Sequence, residues 1–199
     1  MKPFGKQKLR PPTQGGMLGR APEDTRFSGF TGPKDTLKAM ERIALGPRGE
    51  QSPVVRQFTE YVVKDIWPKD YQGEILAVRN CFLQPSPTRA GARMFRYAND
   101  PRHVEWIKDP QRMVEEVAQQ GVCVADCDEI ALLGATMCLQ LGREVELVAL
   151  GFAPRQLTHV GYRVKEPKSN RWIWVDPVAG PREREAAETA KEVLFWSLD

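Results

Sequence analysis

The chain has 199 residues, with 29 Lys and Arg against 26 Asp and Glu, a formal net charge of +3. That length fits one domain with polar arms. No apolar run approaches the roughly 18 residues a membrane span needs, and so small a net charge argues against nucleic acid as the partner. Met-Lys-Pro-Phe-Gly-Lys at the start has no apolar h-region, so no secretory signal is expected. Cys81, Cys123, Cys127 and Cys138 are irregularly spaced and read as free thiols in a reducing compartment.

Residues 1–34 are rich in Lys, Arg, Pro and Gly, without periodicity. Such a segment cannot bury enough apolar surface to fold alone. Phe4, Leu9, Met17, Leu18, Phe27 and Phe30 are spaced like the anchors of a peptide on another surface, so an extended arm against a partner subunit is expected. A domain over 35–180 follows, opening with helices. Asp35 is the expected cap of the first, which Gly46-Pro47 ends. Ser52-Pro53 supplies an N-cap and N1 pair for the second. A third runs from about Gln72 to Leu83. Gln84 to Thr88 breaks the pattern, Arg93 to Tyr97 reads as a short strand, and Asp109-Pro110 caps a fourth helix. Residues 144–150, 159–164 and 171–175 read as strands. Residues 181–199 carry charges at helical spacing and end in Val193-Leu-Phe-Trp196, which predicts a C-terminal helix with an apolar tip. The fold class is α+β: a helical N-terminal half packed on an antiparallel sheet.

The stretch with chemical content is Asp126-Cys127-Asp128-Glu129. Ile130, Leu133, Met137 and Leu141 follow at helical spacing and Gly142 is a C′ stop. Asp126 is the expected N-cap, which puts Cys127 in the first turn, where the helix dipole favours a thiolate. The flanking acids oppose it. Downstream, a hairpin turning symmetrically about Pro167-Lys168 sets His159 opposite Asp176, Gly161 opposite Trp174 and Arg163 opposite Trp172. Opposed side chains share a face with Cβ atoms about 4.5–5.5 Å apart. On this register Asp176 accepts from the imidazole, Gly161 leaves room for the Trp174 indole, and Arg163 lies on Trp172. Val160, Tyr162, Ile173 and Val175 face the core. Cysteine, histidine and aspartate in this order are the parts of a nucleophile, its base and the group that orients the base. Gln119 or Gln120 is a weaker candidate for an oxyanion hole beside the Cys127 N–H, and Trp174 for a substrate contact. Zinc is a competing reading of Cys123, Cys127, Cys138 and His159. The four-residue step from Cys123 to Cys127, and Cys138 on an apolar helix face, fit a knuckle poorly, so no metal and no cofactor are expected.

Asp126-Cys127-Asp128-Glu129, His159-Val160 and Trp174-Val175-Asp176-Pro177 together resemble the transglutaminase-like superfamily, a branch of the papain-like fold. The likeness covers about residues 52–180. It is greatest to small members encoded by tailed phages and prophages, which carry segments similar to Tyr97-Ala-Asn-Asp-Pro101 and Val104-Glu105. Here Ala125 stands where the family usually has Gly, and residues 85–92 are an insert. The resemblance implies a Cys127–His159–Asp176 triad and hydrolysis or acyl transfer on an amide of a peptide or peptidoglycan-like substrate. It also implies a virion or tail-associated protein, made in the bacterial cytoplasm, that contacts other assembly proteins through residues 1–34 and the C-terminal helix. A neck, tail or baseplate subunit that keeps the fold without catalysis is the alternative.

Overall fold

The computed structural model describes residues 25–28, 32–100, 104–154, 156–178 and 187–198. The rest of the 1–34 arm, and residues 181–186 and 199 of the expected C-terminal helix, lie outside the described residues. The fold is α+β with an antiparallel sheet.

In chain order the elements are β1 (Thr25–Ser28), α1 (Pro33–Ala44), α2 (Pro53–Val63), α3 (Tyr71–Cys81), β2 (Phe95–Tyr97), β3 (Val104–Ile107), α4 (Pro110–Gln120), β4 (Cys123–Ala125), α5 (Cys127–Gln140), β5 (Val145–Gly151), β6 (His159–Glu166), β7 (Arg171–Val175) and β8 (Glu192–Ser197). Local chemistry sets the helix ends. Ser52 caps α2 with Pro53 at N1, and Asp109 caps α4 by accepting from Arg112 N at 2.9 Å. α1 begins three residues earlier than expected, because Gly32 takes the cap position, Pro33 takes N1 and Asp35 falls in the first turn.

The central element is α5. The spacing of its apolar residues predicts one stripe, yet every residue from Asp128 to Cys138 is buried, so this is a core helix enclosed on all sides. Its close approach to the sheet depends on Gly134: a Cβ there would meet the Tyr162 ring at 2.6 Å. At the far end Arg143 N donates to Cys138 O and Gly142 N to Leu139 O, with Gly142 at φ 72°, the paired bonds of a Schellman stop.

The main sheet is antiparallel in the order β7-β6-β5-β8. The expected C-terminal helix is corrected over Glu192–Ser197, which is a strand paired with β5 (Leu147 opposite Trp196). Val193 and Phe195 face out while Leu194 and Trp196 pack on the core, a period of two that a short continuous apolar run conceals. Trp196 Nε1 donates to Glu41 of α1 at 2.9 Å. Within the arm, β1 pairs antiparallel with β3 of its own chain, Thr25 opposite Ile107. A parallel pair, β2 with β4, sets Tyr97 beside Ala125 and leads straight into α5.

The hairpin register differs from the symmetric one by two residues: Glu166 pairs with Arg171 and Arg163 with Trp174. The loop is four residues long. Pro167 suits the second position of a turn, Asn170 takes φ 55°, and the Glu166 carboxylate accepts from Lys168 N and Ser169 N. An even shift keeps every side chain on its face. Tyr162, Val164 and Val175 are accordingly buried in the core, and Arg163 lies 4.5 Å from the Trp172 ring.

Candidate active site

The site is built where β4, α5, β6 and β7 end or begin. Asp126 Oδ1 accepts from Asp128 N at 3.0 Å and Glu129 N at 3.4 Å, while Glu129 Oε2 accepts from Asp126 N at 3.0 Å. This is a reciprocal capping box, and it holds Cys127 at the first helical position. Glu129 also accepts from Lys108 N at 3.0 Å, and Lys108 Nζ reaches Val124 O at 2.7 Å and Glu116 at 2.9 Å. The β3–α4 connection is thereby tied to the turn beneath the cysteine.

Cys127 is the most open of the four cysteines; Cys81, Cys123 and Cys138 are buried. Its thiol donates toward Asp128 Oδ1 at 3.4 Å. Burial pushes the thiol pKa well above its ordinary value, Asp128 and then Asp126 add to that, and a backbone hydrogen bond from Val160 opposes them. The sulfur therefore sits against the start of β6, one residue past His159. Glu129 is pushed up to about 7, first by burial and then by the Asp126 charge, with Lys108 pulling the other way.

On β6, His159 Nε2 lies 2.6 Å from Asp176 Oδ2, with the imidazole partly exposed and the carboxylate buried. The two are diagonal neighbours across the β6–β7 pair, on one face. Asp176 Oδ1 accepts from Val178 N at 3.1 Å, which fixes the carboxylate where the strand ends. Gly161 accommodates the Trp174 indole as expected: a Cβ would stand 2.5 Å from its Cη2. Phe152 lies beside His159 with ring centroids 6.5 Å apart.

The sequence reading missed Tyr97 as part of this site. It lies at the end of β2, exposed on one side, with its hydroxyl donating to Asn99 at 2.7 Å. Its pKa is pushed up to about 12 by desolvation and then by the charges of Cys127, Asp126, Asp128 and Asp176, and the β2–β4 pairing sets it beside Ala125, two residues before Cys127. The signal available was the aromatic residue ahead of Asn99-Asp100, at the end of a strand. Gln120 is exposed at the C-terminus of α4, and β4 carries the chain from there to Cys127, setting the two at opposite ends of that strand. The zinc set does not assemble. Among the described residues the cluster with metal-ligand spacing is Asp126, Cys127 and Asp128, within 4.8 Å of one another, and Asp126 is engaged as the helix cap.

No protein-family model matches the chain, and no curated protein matches it. A solved structure it resembles is a provisionally assigned protease from Parabacteroides distasonis, 12% identical, with a TM-score of 0.47. The likeness covers 71% of this chain and 26% of that one, so the chain spans about a quarter of that protein's length. A resemblance this slight does not fix a family.

Proposed function

We propose that this is a transglutaminase-like cysteine domain that acts on an amide, by hydrolysis or acyl transfer, through Cys127, His159 and Asp176. The observation that carries the reading is the 2.6 Å His159–Asp176 contact on the strand whose next residue, Val160, meets the Cys127 sulfur. With Nε2 held by Asp176, Nδ1 is left to take the thiol proton. The sulfur attacks the carbonyl carbon, and the Cys127 N–H at the helix start stands ready to stabilise the oxyanion. The imidazolium returns the proton to the leaving amine, which departs and leaves a thioester. Water then releases an acid, or a second amine forms a new amide. Asp128 and Asp126 disfavour the thiolate, so proton transfer in step with attack suits the site better than a resting ion pair.

A second reading is a structural subunit of a phage neck, tail or baseplate. The raised thiol favours it, as do Val193 and Phe195, exposed on the edge strand β8. Acid-quenched intact mass after incubation with a peptide-carboxamide library separates the two. The enzyme reading expects a thioester adduct on Cys127, absent from Cys127→Ser and from His159→Ala. No adduct with any member of the library favours the structural subunit.

A further inference from the structure

The insert between α3 and β2 forms a cavity that the proposed chemistry leaves unused. Its legs are joined by Ser86 N donating to Ala92 O at 2.7 Å and Met94 N to Gln84 O at 3.0 Å. Ser86 Oγ accepts from the N–H groups of Thr88 and Arg89, at 3.3 and 3.0 Å, and Gly91 turns the tip with φ 75°. The loop is thus ordered by its own hydrogen bonds. Against it lies a cavity of about 470 Å³, within the range of ligand sites. Phe95 and Val122 supply buried apolar lining, and Arg89, Arg93, Arg96 and Tyr97 form the exposed walls.

Among the described residues, none of the three arginines pairs with a carboxylate. Guanidinium groups gathered on one cavity without an acid between them form an anion-attracting field, and their planar forks match carboxylates and phosphates. Tyr97 belongs to this wall, and its backbone pairs with Ala125, two residues before Cys127. The two regions are therefore neighbours but opposite in charge: arginines on one side of Tyr97, and Asp126, Asp128 and Asp176 on the other.

We propose that the cavity lined by Arg89, Arg93 and Arg96 is a subsite for an acidic side chain of a peptide substrate whose reacting amide lies at Cys127. The assignment of that amide rests on the reading of Cys127 as an acyl-transfer centre; the anion-binding cavity does not. The charge separation gives the substrate a direction, since an acid is repelled from the cysteine end and held at the arginine end. A nucleic acid would have to carry its phosphates past the carboxylates around Cys127, which disfavours it.

The test uses the full chain carrying Cys127→Ser and fluorescein-labelled peptides (Gly-Glu)₃ and (Gly-Gln)₃, read by fluorescence anisotropy. The acidic peptide should bind at least about tenfold more tightly, with the preference weakening in high salt. The triple variant Arg89→Gln, Arg93→Gln, Arg96→Gln, with an unchanged circular dichroism spectrum, should lose the preference. Equal affinity for the two peptides, or a preference that survives the triple variant, overturns the proposal. So does a labelled hexathymidylate that binds more tightly than the acidic peptide and depends on the same arginines. Arginine-dependent binding together with a Cys127 that forms no thioester would remove the catalytic reading and leave the anion subsite standing. A reactive Cys127 with charge-blind binding would do the reverse.

Discussion

Glu129 links the chemistry of one residue to the stability of the whole chain. Its folded pKa of about 7 lies above the 4.5 of a free glutamate. Between these values the folded chain holds a proton that the unfolded chain releases. Its stabilising contribution is therefore fully present below pH 4.5 and is lost as pH rises through 7, by roughly 3 kcal/mol in total. In Glu129→Gln that pH dependence should vanish. The amide nitrogen cannot accept, whereas both oxygens of the protonated acid can, so one of the two N–H groups loses its partner and the variant should be less stable at pH 4 by about 1–3 kcal/mol. Urea unfolding at pH 4, 5.5 and 7.5 measures both effects, and an unchanged slope in Glu129→Gln would locate the titration elsewhere. Gly161 makes a second case. A methyl group there meets the Trp174 indole, so Gly161→Ala should cost about 1–3 kcal/mol and displace the ring. Near-wild-type stability, with the Trp174 fluorescence unmoved, would contradict this contact. Both roles were partly legible. Gly161 opposite an aromatic residue could be read from an assumed hairpin, and the contact survived a register error because that error was even. The Asp-x-x-Glu spacing was present, but only the structure shows that Glu129 also serves Lys108.

Among the elements, those with end signals were readable and those defined by their partners were not. Ser52-Pro53, Asp109-Pro110 and Asp126 each supply a local capping reason, and their helices start where the sequence places them. β1, β3 and β4 have three or four residues each and no alternation of their own, so only pairing defines them. β8 was misread because charges upstream and four apolar residues fit a helix as well as a strand, and the open edge of β5 decides between them. Hydrogen exchange tests that assignment: alternate amides of residues 192–197 should be protected, and uniformly fast exchange would contradict the strand. The cap of α5 is tested by Asp126→Ala, which removes the acceptor for two helix N–H groups. It should lower stability by about 1–2 kcal/mol and loosen the position of Cys127. Unchanged stability would mean that Glu129 and Lys108 hold the turn without it.

At the scale of the molecule, one buried helix presents a cysteine at its start while the sheet packed on it presents a histidine and an aspartate. Sequence order and local context exposed that much, but not the charge environment. Depth of burial and the combined action of Asp126 and Asp128 depend on packing, and they raise the thiol where a place at the helix start alone would lower it. Cys127 is also more exposed than Cys81, Cys123 and Cys138, so faster labelling than these would reflect access alone. The decisive comparison holds access constant. The rate of Cys127 alkylation by iodoacetamide, followed by mass spectrometry from pH 5 to 10, should be measured in the wild type, His159→Ala, Asp176→Asn and Asp128→Asn. If His159 is the base for Cys127, His159→Ala lowers the rate at pH 7 about tenfold or more, Asp176→Asn lowers it less, and Asp128→Asn raises it by relieving the thiolate. A single rise above pH 9 with the same rate in the wild type and His159→Ala would contradict the pairing of Cys127 with His159.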